Sequence, residues 1–361
     1  IFFRSMQLQW DDVQFDGSTG STVPIGRAGH CTTILGDRLY LLGGANRCGL
    51  HFNDVWFLTL QNERQWHRVQ VKSSVVPKPR NGHAACAISD HEVLIFGGII
   101  QMPEKHVYDD MWILDVGVDT SVWHKVQQSG TAPRARSGHS MCYSDGKLYL
   151  FGGNDDDGPL DDMFVFDIGS RTWTPVPHAS PWPCAREMHV CHAAGHHLVL
   201  HGGRGANGPL GDLFVCDVGK DSVEWKPISL AGAAGGIMAH AATVVSSSPT
   251  TAIEMLLVGG VCDTGLSDDV MLVIDLAHET ATQECPGGDV TIICARQRFA
   301  HTLEAHNGLL YAVGGAELTA DEPENPLQEK ICAYTAPLPK PHKVDAAPAL
   351  ADATAPAADD D

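Results

Sequence analysis

The sequence has no Cys-x-x-Cys pair, no Asn-x-Ser/Thr sequon and no apolar run of membrane-spanning length. Basic residues are in the minority, with 24 Lys and Arg against 44 Asp and Glu, a formal net charge of −20. Each absence excludes something. The eleven cysteines are scattered, so they suggest neither a zinc site nor a dithiol couple and read as small apolar residues. The acid excess argues against nucleic acid as the main partner, because phosphate contacts need clustered cations. Membrane insertion is not expected, and a reducing compartment is: the cytoplasm, or the nucleus. The start, IFFRSMQLQW, lacks the apolar core of a signal peptide. It opens on Ile1 rather than Met, as a fragment or a processed form would.

What the chain does have is turns. Gly 37 and Pro 21 punctuate 361 residues, a length that suits one large β domain or two smaller ones. One acidic turn, FGGNDDDGPLDDMFVFD from Phe151 to Asp167, invites a calcium reading. With Gly158 at the sixth place of an EF-hand loop, Gly153 falls first and Phe164 twelfth, and neither side chain chelates. Fifty residues on, HGGRGANGPLGDLFVCD aligns with it without a gap. Asp155, Asp156 and Asp157 become Gly205, Ala206 and Asn207, so the spacing recurs and the acid cluster does not. The aspartates then read as a solvated loop.

The same spacing runs through the chain. Glycine pairs stand at Gly43-Gly44, Gly97-Gly98, Gly152-Gly153, Gly202-Gly203, Gly259-Gly260 and Gly314-Gly315. Each closes an apolar run, and each run follows a segment ending in His: RAGH, RNGH, RSGH, REMH, IMAH, RFAH. A loop then leads to Asp and a second apolar run, as in NDVWFL and DDMFVF, and in four units to a Trp: Trp66, Trp123, Trp173 and Trp225. Four short strands in roughly fifty residues is the arithmetic of a propeller blade.

The order Arg-x-Gly-His, Gly-Gly, Asp-x-Trp/Phe, Trp resembles the kelch repeat, in the style of stand-alone kelch proteins such as the Rab9 effector. The resemblance implies an all-β, six-bladed propeller over residues 1–337, with four antiparallel strands per blade. The sixth unit lacks its Trp strand, and QWDDVQ near the N-terminus matches QWHRVQ of the first unit at four of six positions. An N-terminal strand from about residues 8–14, bearing Trp10, is therefore expected to close the last blade. Blade 5 is irregular: Ile237 replaces the Arg, no Trp follows Met271, and connections near Ser246–Thr251 and Glu279–Thr291 break the pattern. Residues 338–361, rich in Ala, Pro and Asp, are expected to be a disordered tail.

Two kinds of residue then compete for function. His30, His83, His139, His189, His240 and His301 recur once per unit, as do Asp54, Asp110, Asp162, Asp212 and Asp269, and such repetition suits a structural duty. Arg27, Arg80, Arg136, Arg186 and Arg298 occupy one position, three residues before the His. In kelch adaptors of ubiquitin ligases, arginines there and just after Gly-Gly hold acidic peptides. The resemblance thus implies a ring of these five around one channel mouth. Arg204 and its counterpart Asn154, directly after their glycine pairs, would join it. The guanidinium fork suits carboxylates, so another protein's acidic segment is the expected partner. The alternative, that each arginine only pairs with the Asp of its own blade, stands beside it.

A metal-dependent or sugar-acid-modifying enzyme with its site at the same mouth is the competing function. Kelch specifier proteins carry Glu-x-x-x-Asp-x-x-x-His. Here Glu317, Asp321 and Asn325 keep the spacing, but the amide is a poor iron ligand, so these are weak metal candidates. No Cys-Tyr pair announces a copper oxidase and no nucleophile motif occurs, so no cofactor is expected.

Overall fold

Each Gly-Gly motif ends the second strand of a four-stranded antiparallel sheet. The computed structural model describes residues 11–13, 23–61, 64–117, 120–220, 222–231, 235–247, 252–263, 265–266, 270–284, 298–317 and 331–338. Blade 3 shows the unit: Ser140–Ser144, Lys147–Phe151, Met163–Asp167 and Thr172–Val176, each pairing with the next. Second strands such as Lys147–Phe151 are apolar at nearly every position because neighbouring sheets cover both faces. Among the described residues the main strands repeat this unit six times, with Trp225–Ala231 of the fourth pairing in parallel with Thr280–Glu284 of the fifth and Ser129–Gly130 adding a short parallel strand to the third. In the sixth, Asp11–Asp12 supplies the outer strand, pairing with Ala333–Pro337, and the Val13 amide donates to the Ala333 carbonyl. Trp10 and residues 339–361 lie outside the described residues, whereas Leu338 packs against the apolar cluster between blades 5 and 6.

The apolar core is divided among six junctions between neighbouring sheets. Tyr311 and Val313 of blade 6 pack on Leu39, Leu41 and Trp66 of blade 1, which closes the circle. Trp123 packs on Tyr40 and Leu42, Trp173 on Phe96, and Trp225 on Phe151, each Trp covering the blade before it. Blade 5 has a regular fourth strand, Thr280–Glu284, despite lacking the Trp. Among its described residues the pairing is broken by a bulge between Val244 and Ser246, while most of the two irregular connections, residues 248–251 and 285–291, lies outside the described residues.

A closed ring of main-chain hydrogen bonds encircles the axis at the residue before each His. Gly82 N donates to Gly29 O, Gly138 to Gly82, Met188 to Gly138, Ala239 to Met188, Ala300 to Ala239 and Gly29 to Ala300, over 2.7–3.1 Å. All six have positive φ, from 52° at Ala300 to 65° at Gly138. Glycine takes that conformation freely, whereas Met188, Ala239 and Ala300 carry strain in it.

The glycine pairs have a tighter reason. A Cβ on Gly97 would stand 2.7 Å from Arg136 O and 2.9 Å from the His139 ring of the next blade. One on Gly98 would stand 2.9 Å from its own blade's His83. A Cβ on Gly82 meets nothing nearer than 3.4 Å. Gly82→Ala should therefore cost only the backbone term, about 1 kcal/mol, and Gly97→Ala at least twice that, about 3 kcal/mol. Urea unfolding of the two variants checks the ranking. Ala300→Gly, which relieves a positive φ, should gain about 0.5–1 kcal/mol in the same assay.

Candidate functional site

The blade-to-blade packing leaves a cavity of about 730 Å³ at one mouth of the axis. Its floor is the ring of main-chain bonds and the histidines. Its walls are the loops that follow the glycine pairs of blades 1, 2, 3, 4 and 6. Each loop folds back on the segment before the blade's His, through bridges such as Ala28–Ala45, Asn81–Ile99, Ser137–Asn154 and Glu187–Arg204.

The five recurrent arginines do not present free cations to this cavity. Their exposure lies between 0 and 4 %. Arg80 shows the arrangement: its fork meets Asp110 at 2.6 and 3.1 Å, one amino group also donates to Gly97 O, and Nε donates to Lys78 O. Tyr108 covers the guanidinium at 4.2 Å. Arg27 with Asp54, Arg136 with Asp162 and Arg186 with Asp212 repeat it, and Arg298 pairs with Glu317. In place of the expected ring of free partner-binding cations, each of the five arginines is buried against a carboxylate of its own blade. The fork, Nε and ring face of Arg80 are all occupied within its blade. Where Ile237 replaces the Arg, the side chain is buried, and Asp269 lies outside the described residues.

The recurrent aspartates answer to the same contact. Burial opposes the charge of Asp54, but Arg27 and the Trp56 indole, 2.7 Å away, hold its carboxyl below the usual range. Asp110 behaves alike with Arg80 and Trp112. The histidines are neutral: burial, with Arg80 adding to it, pushes His83 down to about 3. Three inner-strand thiols tie blades together, with Cys31 donating to His83 O, Cys86 to Met141 O and Cys142 to Cys191 O.

Glu317, a weak metal candidate, is the counter-ion of Arg298, while Asp321 and Asn325 lie outside the described residues. Among the described residues no three His, Cys, Asp or Glu side chains converge as a metal site. The aspartate turn is partly offset by two cations: Asp155 and Asp157 face Arg134, and Asp156 meets Lys105 at 2.6 Å.

Arg204 and Asn154 do line the cavity. Arg204 is about half exposed and pairs with the buried Glu187. Two further cations, Arg47 and Lys105, were not singled out from the sequence because they sit in loops that do not repeat. The Arg47 guanidinium reaches only the Glu317 carbonyl, at 3.5 Å, and meets no carboxylate among the described residues. Glu187 is the one acidic residue among the described lining, against Arg27, Arg47, Lys105, Arg204 and Arg298.

Comparison with known proteins agrees with this architecture. The family described as the KLHDC2/KLHL20/DRC7 Kelch-repeats domain matches residues 1–119 and 116–315. The chain belongs to the kelch-repeat family. Its kelch relatives include an F-box/kelch-repeat protein of Arabidopsis thaliana, 34% identical over 169 residues. That match covers 45% of this chain and 34% of the relative. Adagio-like protein 1 of Oryza sativa subsp. japonica is 35% identical over 154 residues, covering 41% of this chain and 24% of its own. Host cell factor 1 of Homo sapiens is 29% identical over 166 residues, 42% of this chain and 8% of that protein. The matched kelch region thus spans about a third or less of these relatives. The solved structure of YjhT superposes with a TM-score of 0.62 at 16% identity, over 87% of this chain and 95% of that one, which supports the propeller fold. Kelch-repeat proteins generally mediate protein–protein interaction. Among the described residues no helix is long and apolar enough to cross a membrane.

Proposed function

We propose that this kelch propeller is a non-catalytic interaction module whose channel mouth holds an acidic segment of a partner protein. The observation that carries the proposal is the exposed charge at the mouth: Arg47, which meets no carboxylate among the described residues, stands there with the half-exposed Arg204 and the exposed Lys105 in a chain of net charge −20. Such a local focus steers anionic partners and rejects others. Arg47, Lys105 and Arg204 are the groups that reach solvent there, with Asn154 beside them. The Lys105–Asp156 pair is exposed on both sides, so it contributes little and yields to a competing carboxylate.

Affinity capture from the native cell type, with wild type and Arg47→Glu/Lys105→Glu side by side, tests it. Both side chains are exposed, so melting should be unchanged. A partner held by wild type should be lost from the variant. Equal recovery by both forms would reject the mouth as the site.

A further inference from the structure

Five large apolar side chains stand exposed among the described residues: Leu50, Val75, Met102, Tyr143 and Met188. Scattered exposed apolar groups are ordinary on protein surfaces. These are not scattered, because three of the five belong to segments that build the mouth. Met188 lines the cavity and is 41 % exposed. Leu50, 46 % exposed, follows the lining residues Arg47 and Gly49, and Met102, 63 % exposed, follows the lining residue Gln101.

The loops carrying Leu50 and Met102 adjoin. A methyl carbon placed on Gly49 would lie 3.8 Å from Met102 Cγ. The Leu50 loop is also held in shape. Asn46 Oδ1 accepts from Cys48 N at 3.1 Å and Leu50 N at 2.9 Å, and Asn46 N donates to Leu50 O at 3.0 Å. The His51 ring closes on Gly49 O at 2.9 Å. A leucine is thus presented to water on a pinned turn, three residues from a cation without a carboxylate partner among the described residues. Pinning removes the ordering cost that a mobile loop would pay on binding. Methionine beside it adapts its shape to an incoming side chain. An apolar patch bordered by charge marks an interaction surface.

We infer that the partner segment carries a long aliphatic or aromatic side chain next to a carboxylate, the former seated on Leu50 and Met102 and the latter on Arg47. This rests on the mouth being the binding site and adds the composition of what enters it. The occupant is a segment of another protein, favoured by the contrast between the exposed cations of the mouth and the remainder of this acidic chain.

Panning a phage-displayed random dodecapeptide library on the folded protein tests the inference, followed by polarisation titrations with labelled, terminally blocked synthetic copies of the enriched peptides. Enriched peptides should combine Asp or Glu with Leu, Met, Ile or Phe within a few residues. Leu50→Ser and Met102→Ser should each weaken binding by about fivefold to tenfold, and Arg47→Glu by more than about tenfold, at unchanged melting temperature. Acidic peptides that are lost on Arg47→Glu but indifferent to both serine variants would overturn this inference and leave the mouth as a site for carboxylates alone. Peptides indifferent to Arg47→Glu, or no enrichment at all, would overturn both. Self-association of the protein that disappears in Met102→Ser would assign the patch to a second copy of the chain and also overturn the inference.

Discussion

Lowering the pH from 7 to 5 should unfold this propeller, well above the range in which its paired aspartates protonate. The cause is the histidine at each blade junction. Burial, with the neighbouring arginine adding to it, pushes His30, His83, His189 and His301 down to about 3, and burial pushes His139 and His240 well below 6.5. In the unfolded chain each imidazole takes up a proton near pH 6.5. Their contribution is therefore complete above pH 6.5 and is lost as the pH falls from there toward 3. At pH 5 the loss is roughly 2 kcal/mol for each of the four imidazoles pushed down to about 3, so about 8 kcal/mol from these alone, against a typical total stability of about 5–15 kcal/mol. Glu304 acts in the opposite direction. Burial pushes its carboxyl up to about 7 against the Thr32 hydrogen bond, so its contribution is lost as the pH rises from about 4.5 through 7. Stability should peak near neutrality. Circular dichroism against pH, with proton uptake measured on unfolding, should show a cooperative transition absorbing several protons. A chain still folded at pH 4 would show that the junction histidines are not held neutral.

Asp162→Ala should cost about 3–5 kcal/mol. It leaves the fully buried Arg136 without its carboxylate, although Gly152 O and Arg134 O still accept from it. The loss comes from the stranded charge rather than from the worth of the pair. Replacing both partners, with Arg136→Ile and Asp162→Leu, should therefore recover more than half of it, because an apolar pair needs no desolvation. Blade 5 already carries a buried isoleucine at that position, Ile237. Equilibrium urea unfolding of the single and double variants gives the comparison. A double variant less stable than Asp162→Ala would mean that the ion pair itself holds the loop.

The repeat was legible in the sequence because glycine, histidine and tryptophan have narrow duties. Gly97 is excluded from carrying a side chain by a carbonyl and an imidazole of the next blade. That exclusion acts in every unit, so the pair recurs. The ring of positive-φ residues was less legible, since Met188, Ala239 and Ala300 hold it without the residue type that advertises it. The arginines were visible but their role was open. Arg80 and Asp110 lie 30 positions apart, and the sheet alone brings them to 2.6 Å. Arg47, Lys105 and the apolar Leu50 and Met102 sit in loops of unequal length, where no register links one blade to the next. Their common location depends on the closed ring, which no local pattern encodes.

The most direct measurement of the interaction claim is site-specific photocrosslinking in cells, with benzoylphenylalanine at Gln101 on the mouth or at His91 on a turn at the opposite ends of the strands. Partner crosslinks are expected from Gln101, mapped to an acidic segment, and none to that segment from His91. Crosslinks to the same partner from His91 alone would place the binding surface on the other face and contradict it.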